Sequence, residues 1–173
     1  VHDQYEITHV IGPDEFHLHV DNNFYTNYLA GWNMRRALEL AEMMKLEHPS
    51  VYAEVADKIG FLDQELESWQ AMQQKIAYPS GSTGLIEQFD GYFDMKDYVI
   101  EDYDEHNVPM WPDGIEPSDY RQIQLIKQPD VVMVQLLLPE EFDEETKRIN
   151  YEYYEQRTMQ LSSLSSSSSA LAG

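Results

Sequence analysis

Residues 10–27 read Val10-Ile11-Gly12-Pro13-Asp14-Glu15-Phe16-His17-Leu18-His19-Val20-Asp21-Asn22-Asn23-Phe24-Tyr25-Thr26-Asn27 and place one carboxylic acid, Glu15, directly after a Gly-Pro-Asp turn. Gly12 and Pro13 fix a bend, so Glu15 belongs on a positioned loop and not on a solvated helix face. A carboxyl held among aromatic and His side chains is a candidate general acid. Cleaving a glycosidic bond needs one, because the leaving sugar oxygen must be protonated, and glycosidases use a pair of carboxyl groups for this work. A lone Glu more often just caps the next element; the surrounding residues give the acid reading its weight.

A second candidate is Lys127-Gln128, within Gln124-Leu125-Ile126-Lys127-Gln128-Pro129-Asp130-Val131-Val132. Lys donates as a point charge, and Gln both donates and accepts, as sugar hydroxyls require. Taken alone, such a pair is more often a solvated connector. His17 and His19 alternate, with Asp14 and Asp21 nearby, and invite a metal reading. No helical His-x-x-x-His pair and no Cys accompanies them, so no metal is expected. Ordering the loop, or hydrogen-bonding a sugar hydroxyl, is the preferred role for these His residues.

The elements that must position these groups are helical by pattern. Residues 1–20 read as a short extended segment followed by a loop, with Asp21 as N-cap of a helix over residues 22–47. In that helix Ala30, Met34, Ala37, Ala41 and Met44 form one apolar stripe, and Tyr25, Leu29 and Trp32 a second. Two stripes predict a helix contacted on more than one side. His48-Pro49-Ser50 separates it from a second helix carrying Val51, Val55 and Ile59, with Gly60 as C-cap. Leu62, Leu66, Trp69, Met72 and Ile76 mark a third. Residues 78–84 are a loop by composition, and residues 94–117 an acidic, Pro-broken connection whose length signals a functional loop. Residues 131–138 are ambiguous between a buried strand and a buried helix. Residues 140–157 read as helix, and residues 162–169 as a Ser-rich tail. The pattern gives about six helices and no confident strand.

Composition narrows the function classes. The 173 residues fit one domain or a piece of a larger one. A net charge of -21, from 32 acidic and 11 basic residues, argues against nucleic-acid binding and supplies no polybasic membrane patch. Such a charge is self-repelling in a compact body. The absence of Cys leaves no disulfide framework or thiolate metal site and suits a cytoplasmic protein. No signal peptide is expected from the first residues, and the apolar run at 131–138 is too short to span a bilayer. The 12 Tyr and 3 Trp can line a sugar site, although core filling is the commoner use of an aromatic ring.

The chain resembles glycoside hydrolase family 65, the disaccharide phosphorylases of maltose, kojibiose, nigerose and trehalose. The motifs that carry the resemblance run almost the whole length: the Glu15 stretch, Glu87-Gln88-Phe89-Asp90-Gly91-Tyr92-Phe93, Lys127-Gln128-Pro129-Asp130-Val131-Val132, Asn150-Tyr151-Glu152-Tyr153-Tyr154-Glu155, and Thr158 with Ser162-Ser163-Leu164-Ser165. The resemblance implies a mostly α fold, part of an (α/α)6 barrel catalytic domain. Residues 1–173 would form its C-terminal half and no complete second domain, a piece expected to be inactive and poorly folded alone. It implies Glu15 as proton donor, Lys127 and Gln128 as contacts to the nonreducing glucose, and Ser162 and Ser163, with Thr158, as part of a phosphate seat. The position matching the family's phosphate-site His holds Gln160, and Ser166 to Ser169 replace the usual Pro-Ser-Ile-His.

The implied activity is inverting phosphorolysis. An α-glucosyl disaccharide, with maltose as the default, and inorganic phosphate would give β-glucose 1-phosphate and a free sugar. Phosphate is the co-substrate, no organic cofactor or metal is expected, and the full-length protein would be a homodimer. Two rivals stand beside it: a hydrolase of the same family in which water attacks with a base such as Glu155, and a noncatalytic carbohydrate-binding relative.

Overall fold

A computed structural model describes residues 3–79, 84–106 and 108–160. Among the described residues there are five α-helices: α1 (Phe24–Glu47), α2 (Pro49–Ile59), α3 (Asp63–Lys75), α4 (Asp130–Leu137) and α5 (Glu144–Glu155). Three short 3-10 turns supplement them, and extended pairing among the described residues is confined to isolated bridges. The molecule is therefore mostly helical, as the apolar spacing predicts. No described helix is long and apolar enough to cross a membrane.

Packing divides the chain into two units, Val1–Glu6 with Asn27–Ala77, and Ile7–Thr26 with Tyr78–Gly173. The first holds most of α1 together with α2 and α3. Pro49 opens α2, where its missing N–H costs nothing. Gly60 closes it at φ 68°, and the N–H of Phe61 reaches back to the Ala56 carbonyl at 2.8 Å, the left-handed stop that glycine tolerates best. Ala37, Leu40, Ala41 and Met44 of α1 line an apolar groove of about 330 Å³ with Tyr52, Val55, Phe61 and Trp69. No residue of α2 or α3 is fully buried. Tyr5 pairs with the chain after α3, its N–H on the Lys75 carbonyl (2.9 Å) and its carbonyl accepting from Ala77 N–H (2.8 Å).

The second unit carries the sealed core. Tyr92, Leu125, Ile126, Val131, Val134, Tyr154 and Met159 are inaccessible to solvent. The segment 123–128 runs extended beside two others. Gln124 N–H donates to the Lys96 carbonyl (2.9 Å), and Ile126 exchanges bonds of 2.9 Å with Arg157 and Met159. Arg157 is held by a bidentate pair with Asp97 (2.9 and 3.0 Å) and lies 3.7 Å over the Tyr153 ring. The ambiguous run at 131–138 is a helix. Its first N–H, that of Asp130, is satisfied by the Gln88 side chain at 3.1 Å, a cap supplied from 42 positions upstream.

Two helix starts differ from the sequence reading. Asn23, not Asp21, caps α1, its Oδ1 accepting the Thr26 N–H at 3.0 Å. Asp21 instead accepts the His9 N–H (2.9 Å). The last helix begins at Glu144 and ends at Glu155, shorter than residues 140–157, because Asp143 caps it through the Thr146 N–H (2.7 Å) while Glu140 and Glu141 lie in a 3-10 turn. The Asp side chain competes with helix continuation and wins at its own position.

Candidate active site

Asp14, a residue the sequence reading left without a specific role, organises the second unit. Its carboxylate is 2% exposed. Oδ1 accepts the N–H groups of Phe16 (3.2 Å) and Lys127 (2.9 Å). Oδ2 meets His17 Nδ1 (2.6 Å) and accepts from Gln88 Nε2 (3.1 Å). The Asp14 N–H donates to Asp130 Oδ1 (2.8 Å), and Asp130 Oδ2 accepts from the Asn23 amide (2.7 Å). His17 spans the network. Its Nε2 donates to the Ile123 carbonyl (3.1 Å), since a carbonyl only accepts, and its ring packs against Phe89 with centroids 5.0 Å apart.

This network brings the candidate acid to the candidate sugar contact. Glu15 Oε2 lies 2.6 Å from Lys127 Nζ, across 112 positions of sequence. The Glu15 side chain is 62% exposed and that of Lys127 23%. An ion pair so exposed contributes only about 0–1 kcal/mol and cannot hold two long side chains together by itself. Leaving a buried polar group without its partner costs about 1–3 kcal/mol, so the buried Asp14 bonds to the Phe16 and Lys127 N–H groups hold the two segments more firmly than the ion pair does.

Gln128 is 2% exposed, and its Oε1 has no hydrogen-bond partner among the described residues. A buried acceptor left unpaired costs about 1–3 kcal/mol. Ser162 and Ser163, the candidate phosphate contacts, lie outside the described residues. Thr158 is buried, and its hydroxyl donates to the Tyr154 carbonyl at 2.8 Å. In this arrangement its proton is committed to the backbone and not offered to an anion. Gln160 Nε2 donates to Glu155 Oε1 (2.8 Å). His17 and His19 do not converge, His17 being buried and His19 exposed. Among the described residues no group of three or more His, Asp or Glu is arranged to hold a metal ion.

The Glu87–Phe93 motif is the scaffold of the site. Gln88 bonds Asp14 and Asp130, Asp90 accepts from the Asn22 amide (2.7 Å), and the Tyr92 hydroxyl donates to the Gln124 carbonyl (2.7 Å). Burial pushes the Glu87 carboxyl above its ordinary value, against the pull of the Phe93 N–H it accepts. Burial likewise pushes Asp130 well above its ordinary value, reinforced by the neighbouring Asp14 charge and opposed by the Asn23 amide. A carboxyl raised on folding stabilises the fold below its unfolded value and loses that contribution as pH rises through the folded one. Glu87→Gln keeps the acceptor for Phe93 and removes the buried charge. Its melting temperature relative to the parent should therefore rise between pH 4.5 and pH 7.5; an unchanged difference across that range would contradict the assignment.

The sequence profile of the Glycosyl hydrolase family 65 central catalytic domain matches residues 1–172. The chain belongs to glycoside hydrolase family 65. It is 56% identical over 172 residues to the kojibiose phosphorylase of Thermoanaerobacter brockii, a match covering 99% of this chain and 22% of that protein. It is 32% identical over 169 residues to the maltose phosphorylase of Bacillus subtilis (strain 168), covering 97% of this chain and 21% of the relative. A solved structure, a putative kojibiose phosphorylase from human microbiome, superposes with a TM-score of 0.79 at 31% identity, over 98% of this chain and 23% of that one. The chain thus spans about a fifth of the length of the family 65 proteins it matches. The mostly helical architecture and the structural likeness agree with part of an (α/α)6 barrel.

Proposed function

We propose that this chain is the acid-bearing C-terminal half of a family 65 catalytic barrel, in an enzyme that cleaves an α-glucosyl disaccharide with inorganic phosphate. The observation that carries the reading is the 2.6 Å approach of Glu15 to Lys127, imposed by the buried Asp14 bonds. Glu15 protonates the leaving sugar oxygen as the bond from that oxygen to the anomeric carbon breaks. Phosphate bonds to the anomeric carbon from the opposite face and gives β-glucose 1-phosphate. Lys127 and Gln128 hold the nonreducing glucose through its hydroxyls. Ser162 and Ser163 help seat phosphate, in a role that Thr158 does not share as donor. No cofactor is required. The enzyme is a cytoplasmic homodimer in this reading, which the Cys-free composition suits.

Maltose gives way to kojibiose as the first substrate to test, because identity to kojibiose phosphorylases reaches 55–56% while that to the maltose phosphorylase is 32%. The hydrolase reading retains one supporting observation, the Gln160 that stands beside Glu155 in place of His. One experiment separates the two. The full-length protein is incubated with kojibiose and with maltose, with and without phosphate. Phosphate-dependent release of glucose 1-phosphate is expected, at least tenfold faster from kojibiose; glucose release at equal rates without phosphate would overturn phosphorolysis.

A further inference from the structure

We propose that Asp14 is a positioning residue for the acid: its buried carboxylate holds the Phe16 N–H that follows Glu15 and the Lys127 N–H of the facing wall, and so fixes the Glu15–Lys127 separation. The inference rests on the phosphorolytic reading above and deepens it.

The Glu15 side chain is long and 62% exposed, so it is not confined by its own packing, while that of Lys127 is 23% exposed. Their backbones are confined. On one side of Glu15, the Asp14 N–H is held by Asp130 Oδ1 at 2.8 Å. On the other, the Phe16 N–H is held by Asp14 Oδ1 at 3.2 Å. The same oxygen accepts the Lys127 N–H at 2.9 Å, so one atom ties the acid loop to the wall that faces it. The remaining oxygen is taken by His17 Nδ1 and Gln88 Nε2. With both oxygens committed and the carboxyl 2% exposed, Asp14 is placed to act on a sugar only through Glu15 and Lys127.

Asparagine at this position has nearly the same shape but offers an NH2 where Asp14 Oδ2 accepts from Gln88. One of the opposed donors must turn away, and the loop moves with it. A general acid displaced by about an ångström loses on the order of a hundredfold in rate, and that loss depends on the leaving group. A sugar alkoxide leaves only as it takes the proton from Glu15. Fluoride leaves the anomeric carbon of α-glucosyl fluoride with far less need of it, while occupying the same glucose site.

The test is Asp14→Asn in the full-length enzyme, assayed with phosphate and either the disaccharide or α-glucosyl fluoride, and checked for folding by a thermal melt. The expected result is a kcat reduced roughly 10–100-fold on the disaccharide, KM within about threefold, and at most about a threefold loss on the fluoride. An equal loss on both substrates, a KM rise at unchanged kcat, or no loss would each overturn the proposal. Should Asp14→Asn fail to fold, His17→Gln can offer an N–H toward Asp14 while removing the ring, and the same split is expected in milder form. Glu15→Gln assayed in parallel separates the two levels. If it too shows no dependence on the leaving group, the acid assignment itself fails; if it shows the split and Asp14→Asn does not, only the positioning role falls.

Discussion

Glu15→Gln in the full-length enzyme is expected to lower kcat on the disaccharide by roughly 10²–10⁴-fold, the usual contribution of a positioned general acid, with little change in KM. The amide has the size of the acid but no proton to give the leaving oxygen. The loss cannot be attributed to unfolding. The side chain is 62% exposed and its one ion pair, to Lys127, is of the surface kind, so the fold should lose no more than about 1 kcal/mol. Steady-state kinetics with phosphate saturating and the disaccharide varied measure both terms. Turnover within about threefold of the parent would remove Glu15 from the chemistry and leave the site as a sugar-binding surface.

Gly12→Ala is expected to be the most destabilising single-methyl change in the acid loop. A Cβ at Gly12 would lie 2.2 Å from Asp130 Oδ2 and 2.6 Å from Asn23 Nδ2. Neither atom is the loose end of a flexible chain, because Asn23 and Asp130 are bonded to each other at 2.7 Å and are 1% and 0% exposed. Forcing them apart adds overpacking of about 1–3 kcal/mol to about 1–3 kcal/mol for a buried polar group left unpaired. A total of about 3 kcal/mol or more would lower Tm by roughly 6–12 °C for a unit of this size. Gly91→Ala is the control. Its φ of 85° strains any other residue, yet nothing lies within 4 Å of the added carbon, so the cost should stay near the ~1–2 kcal/mol of left-handed strain alone. Calorimetry that ranks Gly91→Ala as the costlier of the two would refute the account of the Gly12 loop as a close approach to the buried carboxylate network.

Much of the helical framework was legible because it rests on local rules. Period-3.6 stripes, a Pro at the first turn and a left-handed Gly at the last predict α2 and the body of α1 without knowledge of what they pack against. The starts of α1 and α5 were misplaced where several capping residues compete within a few positions. Asp21, Asn22 and Asn23 are all good caps, and the choice fell to Asn23 because Asp21 was engaged by a distant backbone N–H. The run at 131–138 stayed undecided for a related reason. Its Val content favours a strand, and the group that caps it as a helix, Gln88, stands 42 positions away.

The sequence by itself determined the family, the mostly helical class and a set of candidate site residues, since these follow from short motifs, spacing and composition. Only the tertiary structure decided which groups meet. That Glu15 faces Lys127 and that the Asp14 carboxylate accepts the Lys127 N–H are facts about residues more than a hundred positions apart. The physical reason is that a hydrogen bond has a range of about 3 Å, while chain spacing constrains distance only over a few residues. Across more than a hundred positions, burial selects the partner, because a carboxylate sealed from water must find donors wherever the fold supplies them.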